Sequence, residues 1–189
     1  MNTDDRRVRK TKRALQEGLA ELLLETDIRN VTVRELTDKV DIHRATFYTH
    51  YKDIYDLYEQ IEDRIYEELQ NIIVGDPLHT YEGIFTVIID YIYDNAKICR
   101  MFLSANGNRT FYDRISIFLE KQYLEIWKYE THLSTLTEEV QFLIKYHIHG
   151  CLAIVCKWSE TNYSYPKDKL ADIISTLDVN FDKVAYPSK

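Results

Sequence analysis

Glycine and proline are scarce in this chain of 189 residues, at five and three respectively, where the pair usually makes up roughly 12% of a globular protein. Few turns are available, so the elements between them must be long, and an all-α chain fits best. Cysteine is scarce too. Cys99, Cys151 and Cys156 are too few and too irregularly spaced for a disulfide framework, and they are expected as thiols filling small spaces in a core. Uncharged apolar runs such as Ile84 to Ile89 fall far short of the ~20 residues that cross a bilayer, so no membrane partner is expected. Met1 to Asp5 carry no apolar secretory stretch, which points to the cytoplasm. Catalytic signatures are missing as well, with no glycine-rich phosphate loop, nucleophile elbow or paired metal motif. Neither an enzyme nor a cofactor is expected.

What the chain does have is apolar content and uneven charge. Hydrophobic residues at 45% exclude intrinsic disorder. The 24 basic and 31 acidic side chains give a net charge of −7, but residues 1–52 hold 11 basic against 9 acidic, and the remainder 13 against 22. Arg6, Arg7, Arg9, Lys10, Lys12 and Arg13 put six cations into eight residues, a patch that suits a phosphate backbone or, on its own, a solvated helix face.

Helical periodicity then organises the chain. A first helix is expected after Thr3, with Asp4 and Asp5 in its first turn, running to about Glu25 with Leu15, Leu19, Leu22 and Leu23 in one stripe. Thr32 with Glu35 three positions on is a capping box for a short helix of about Val33 to Val40. Asp41 tolerates a left-handed turn, and another short helix follows from about His43 to Tyr48. Asp53 caps a long helix with Leu57, Ile61, Ile65, Leu69 and Ile72 inward, which Gly75-Asp76-Pro77 stops. Further helices are expected at about Tyr81 to Ala96, Cys99 to Ala105, Thr110 to Tyr129, Thr137 to Ser159, and Pro166 to Leu177, with a loosely held tail from Asp178.

Two short helices joined by a tight turn, with one supporting helix before and a long one after, describe a helix-turn-helix. Val33, Leu36, Val40, Ile42 and Phe47 can form a small core that fixes the second short helix. Arg44, Ala45, Thr46, Tyr48, Thr49 and His50 then point outward, a set that hydrogen-bonds and carries positive charge. No acidic residue falls between His43 and Lys52. Such a surface suits base edges and phosphates in a major groove about 12 Å wide.

On these residues, the segment 8–58 resembles the DNA-binding domain of the TetR family of bacterial transcription regulators. The family's Thr-Val-Arg-Glu-Leu opening, its turn, and a short helix ending Thr-Phe-Tyr before an aromatic and a long helix are matched between Thr32 and Leu57. The resemblance implies that Arg44, Ala45, Thr46, Tyr48, Thr49 and His50 lie on a recognition helix, with Tyr48 and Lys52 at phosphates. Thr32 and Arg34 would approach phosphates from the start of the preceding helix. Two positions depart from the pattern: Asp41 stands where the family usually has glycine, and Ile54 where a second lysine usually grips a phosphate.

A fainter resemblance covers 137–177, where Gly150, Trp158 and Pro166 punctuate two helices as in TetR-like proteins of Gram-positive bacteria. In those proteins the last two long helices form a four-helix dimer interface. Val140, Phe142, Leu143, Tyr146, Leu152, Val155 and Trp158 give the Thr137 to Ser159 helix more apolar surface than one bundle face needs. A monomer with a wide buried helix remains the alternative. Tyr81, Phe85, Tyr91, Tyr93, Phe102, Phe111, Tyr112, Phe118, Tyr123 and Trp127 supply aromatic walls for packing or for an effector of unknown identity. His147 and Cys151, four apart, share a helix face, but His149 points elsewhere and Cys156 completes no zinc or redox spacing, so no metal is assigned.

Taken together, residues 1–52 read as a DNA-binding domain and 53–189 as a helical ligand-binding and dimerisation domain, with helix 53–74 joining them. The expected function is a ligand-responsive repressor binding a palindromic DNA operator as a homodimer. The alternative is a TetR-like coactivator working through a protein partner, as in dihydroxyacetone kinase operons.

Overall fold

The computed structural model describes residues 3–75, 81–103, 109–132 and 137–185. Among them the chain forms no strand and nine α-helices: α1 (Thr3–Leu23), α2 (Val33–Lys39), α3 (Arg44–Tyr48), α4 (Ile54–Val74), α5 (Tyr81–Asp94), α6 (Ala96–Leu103), α7 (Arg109–Thr131), α8 (Glu138–Glu160) and α9 (Lys167–Ala185), with a 3₁₀ turn at Ile28–Asn30. The all-α class expected from composition is the class observed. No helix among the described residues is long and apolar enough to cross a membrane.

Local chemistry sets the boundaries. The Oγ1 of Thr32 accepts a hydrogen bond from the Glu35 amide at 3.1 Å and starts α2. Asp53 Oδ1 accepts from the Asp56 amide at 2.9 Å, while Asp56 Oδ2 accepts from the Lys52 amide at 2.8 Å. Each such cap is worth about 1 kcal/mol. Bonds to Lys52 and Gln60 hold the Asp56 carboxyl below its ordinary range. Asp41 adopts the left-handed conformation expected of it, with φ 53°.

Several expectations need correction. The inward position at the end of α4 is Ile73, and Ile72 is exposed. The true spacing of Leu57, Ile61, Ile65, Leu69 and Ile73 steps by four throughout. Helix α5 stops at Asp94, and α6 begins three residues before Cys99. The tail is not loose from Asp178. Helix α9 continues to Ala185, and Asp178 is completely buried within it, because its carboxylate meets a polar cluster that sequence periodicity does not display. The side chains of Asp4, Asp5 and Tyr81, and residues Asp76, Pro77 and Ala105, lie outside the description.

By packing, the chain divides into two compact units: Met1–Glu67 with Lys97–Gly107, and Glu68–Ala96 with Asn108–Lys189. In the first, Leu15, Leu19, Leu36, Phe47, Leu57 and Ile61 are fully buried. Helix α6 joins this core through Cys99, Met101 and Phe102, the last with its ring 4.9 Å from that of Tyr58. Glu21 on α1 pairs with Lys39 on α2 and Lys97 on α6, at 3.0 and 2.5 Å, and hydrogen bonds from Lys97 and then Lys39 hold its carboxyl below the ordinary range.

In the second unit α5 packs on α9, and α8 packs on α7 and α9, around Phe85, Ile89, Leu119, Tyr123, Ile148 and Val155. The turn from α8 to α9 places Asn162 and Tyr163 at φ 54° and 57°, an uncommon conformation for a residue as bulky as tyrosine. Tyr163 is held there by its hydroxyl, which donates to the Ala96 carbonyl at 3.0 Å, and by its ring set edge-on to Trp158 at 4.8 Å. The Trp158 indole in turn donates to the Tyr165 carbonyl at 2.8 Å.

Candidate nucleic-acid interface

The first unit presents its polar face through α3, a helix of five residues with little intrinsic stability. Its position is set by one buried side chain, Phe47, whose ring lies 5.6 Å from that of the buried Tyr51, and by α2, against which it packs. Leu36 is fully buried beneath the turn, with Val33, Val40 and Ile42 half-buried around it. His43 precedes α3 with extended backbone and no capping bond from its own side chain.

With Phe47 inward, Arg44, Ala45, Tyr48 and Thr49 are exposed and Thr46 and His50 are half-buried. Tyr48 stands 58% exposed, with its ring edge-on to Phe47. Thr49 donates its hydroxyl to the Thr46 carbonyl at 2.7 Å, which rotates the hydroxyl back along the helix. Lys52 is exposed just beyond. Thr32 and Arg34 are exposed at the start of α2, and Arg34 pairs with Asp38, at 3.5 Å with both side chains largely in solvent. Such a pair holds the guanidinium weakly.

The basic run of α1 is exposed at Arg6, Arg7, Arg9, Lys10 and Arg13 and half-buried at Lys12. Arg13 also pairs with Glu17 at 2.7 Å. Ile54, at the position where a lysine was expected from the resemblance, is buried in the core. Its neighbour Tyr55 is exposed. The chain therefore uses this position for packing.

The second unit shows a different surface. Of the apolar residues singled out on α8, Leu152, Val155 and Trp158 are buried, Val140 and Leu143 are half-buried, and Phe142 and Tyr146 are 68% and 82% exposed. Gly150 continues their stripe, and among the described residues nothing beyond its own stretch of helix lies within 4 Å of where its Cβ would stand. Exposed Ile173 and Leu177 extend the apolar face on α9, and a shallow groove lined by Ala153, Trp158, Tyr165 and Ile173 runs along it. Of the aromatic set, Phe85, Tyr91, Phe111, Phe118, Tyr123 and Trp127 are buried in this unit, Phe102 is buried in the first, Tyr112 is half-buried and Tyr93 is exposed. His147 and Cys151 do come together, as their spacing implies, while His149 turns to Tyr112 and Glu120 at 3.0 and 3.4 Å. A third member of the His147 cluster, Asp178, was missed because it lies on another helix.

Comparison with known proteins adds to this geometry. The family model TetR_C_8, described as a transcriptional regulator C-terminal region, matches residues 79–178. The uncharacterized HTH-type transcriptional regulator YxbF of Bacillus subtilis (strain 168) is 38% identical over 66 residues, which are 34% of this chain and 17% of that relative. The match thus spans less than a fifth of that relative's length. Among solved structures, a Syntrophomonas wolfei protein described as a TetR-family transcriptional regulator shares 13% identity at a TM-score of 0.67, over 94% of this chain and 95% of its own. The dihydroxyacetone kinase operon activator DhaS shares 15% identity at a TM-score of 0.56, over 92% and 97%. At such identities both are likenesses of fold.

Proposed function

The chain belongs to the TetR family of transcriptional regulators, and from that premise we propose that it is a homodimeric repressor whose hold on a palindromic operator responds to a small molecule. The observation that supports this best is the surface of α3. Arg44, Ala45, Tyr48 and Thr49 are exposed on a helix locked by Phe47, with no carboxylate between His43 and Lys52 to repel a phosphate. In this reading Arg44, Ala45, Thr46, Thr49 and His50 meet base edges and backbone in the major groove. Tyr48, Lys52, Thr32 and Arg34 fix register on phosphates.

A dimer through α8 and α9 would cover Phe142 and Tyr146 and use the open space at Gly150 for close helix approach. Its two-fold axis would set two recognition helices on half-sites about 34 Å apart. The domain division proposed is 1–52 for DNA and 53–189 for dimerisation and ligand, with α4 as the joining helix. Response to a ligand is favoured by α6, which follows α5 directly in the chain yet packs in the first unit and pairs with Glu21 on α1. A shift of α6 would thereby bias the segment that carries α3. The cytoplasm is the compartment proposed.

The test is anisotropy titration of labelled duplexes from the protein's own upstream region at several salt concentrations. Binding to one palindrome should weaken steeply with salt. Arg44→Ala should lower affinity by roughly tenfold or more per half-site, equivalent to about 1–3 kcal/mol, with Tyr48→Phe costing less. Absence of preference for any such duplex at low salt would refute the repressor reading. The buried Ile54, which removes a phosphate contact, favours the second reading: a coactivator that works through a protein partner.

A further inference from the structure

The interior of the second unit holds a polar cluster that the proposed function does not use. Helix α8 places His147 and Cys151 one turn apart on its inner face, and α9 brings Asp178 against them. His147 Nε2 lies 2.7 Å from Asp178 Oδ1 and 3.8 Å from Cys151 Sγ, and one ligand atom from each of the three lies within 4.8 Å of the others. Tyr123 of α7 sets its hydroxyl 3.3 Å from the same histidine nitrogen and 3.4 Å from the same carboxylate oxygen. The Phe181 ring lies tilted 4.6 Å from the imidazole, with Phe85 edge-on at 6.1 Å. All three residues are more than nine-tenths buried.

From this juxtaposition we propose that His147, Cys151 and Asp178 form a buried site for one borderline-soft divalent transition-metal ion, with zinc as its representative. The second, independent observation is the other carboxylate oxygen. Asp178 Oδ2 is buried with no hydrogen-bond partner among the described residues, and a carboxylate in apolar surroundings calls for a compensating positive charge. A divalent ion supplies it. One thiolate and one carboxylate cancel its charge, leaving a neutral centre in a low-dielectric interior. One sulfur, one nitrogen and one oxygen form a donor set that zinc, cobalt and nickel accept, while magnesium and calcium prefer oxygen alone.

The fit needs side-chain adjustment, largest between Cys151 and Asp178, whose ligand atoms lie within 4.8 Å of each other and must close to about 3.5 Å. With bonds near 2.0–2.3 Å, a tetrahedral centre separates nitrogen and oxygen by about 3.3 Å and nitrogen and sulfur by about 3.6 Å. The His147–Asp178 hydrogen bond opens slightly and the cysteine closes slightly on the histidine, while the imidazole takes the tautomer that leaves Nε2 free. The fourth position faces Tyr123. Such a site would staple α8 to α9, and it holds whether or not the protein represses a promoter.

Cobalt titration of the full-length protein after dialysis against a chelator tests the site without reference to DNA. One Co²⁺ per chain should produce the visible bands of a tetrahedral ion and a near-ultraviolet thiolate-to-cobalt band, both erased by one equivalent of zinc. Cys151→Ser should remove the near-ultraviolet band, and Asp178→Asn should weaken affinity at least about tenfold. Circular dichroism checks that each variant folds. If Cys151→Ser does not fold, the double variant Cys99→Ser/Cys156→Ser leaves Cys151 as the sole thiol and must keep the band. No near-ultraviolet band at one equivalent, or its loss in that double variant, would overturn the site and leave a hydrogen-bonded core cluster.

Discussion

Replacing Gly18 by alanine tests the packing that aims α3, the proposed recognition helix. Gly18 lies in the middle of α1, where alanine ordinarily adds up to about 1 kcal/mol of helix stability. Here a Cβ would overlap Cγ1 of Val40 and stand 3.1 Å from Cδ1 of Leu36. Val40 cannot swing aside easily. It is β-branched and stiff at its first torsion, it ends α2 by bonding the Leu36 carbonyl, and the left-handed Asp41 follows it. Overpacking of this kind costs about 1–3 kcal/mol, so after the gain in propensity Gly18→Ala should destabilise by about 1–2 kcal/mol in urea unfolding. Because Val40 leads into the turn before α3, affinity for the proposed operator should fall as well. Val40→Ala removes the obstructing methyl groups, and the double variant should recover at least half of the loss, a coupling that a double-mutant cycle measures. Gly18→Ala matching or exceeding the parent stability, or strictly additive losses in the double variant, would refute the reasoning.

The other expectations follow from the same surfaces. Phe142→Glu together with Tyr146→Glu should convert the proposed dimer to monomer at micromolar concentration, seen by light scattering with the helical circular dichroism intact. A monomeric parent protein would defeat the interface on α8 and α9. Burial, with Glu160 adding to it, pushes the Cys156 thiol up to about 11. At pH 8.5, where a free thiol is about half ionised, iodoacetamide should therefore label Cys156 at least about a hundredfold more slowly in the native protein than in urea. Because the folded pKa is the higher one, this thiol's contribution to stability is complete below about pH 8 and is lost as pH rises towards 11. Equal labelling rates would show the side chain to be open to solvent.

Much of the fold was legible because helices are local objects. Thr32 and Asp53 announce their helices through caps that form within four residues, and Asp41 occupies a turn where a short polar side chain tolerates positive φ. The outward residues of α3 were legible for the same reason, since a single buried Phe47 fixes which sides of a five-residue helix face out. Asp178 was missed because its deciding partner, His147, is distant in sequence, whereas the error at Ile72 was one of register along a single helix. Ile72 and Ile73 are indistinguishable by composition, and only the accumulated step of four along α4 selects the second.

The sequence by itself determined the all-α class, the placing of most helix starts, and the polarity of the segment from Arg44 to Lys52, because each depends on the order of neighbouring residues and on backbone chemistry within a turn or two. Only the tertiary structure decided that Asp178 closes on His147 across 31 positions, that Gly18 makes room for Val40, that α6 packs in the first unit, and that Ile54 is core. Those outcomes depend on which surfaces meet when separate helices pack, and periodicity along one helix carries no record of what lies against it.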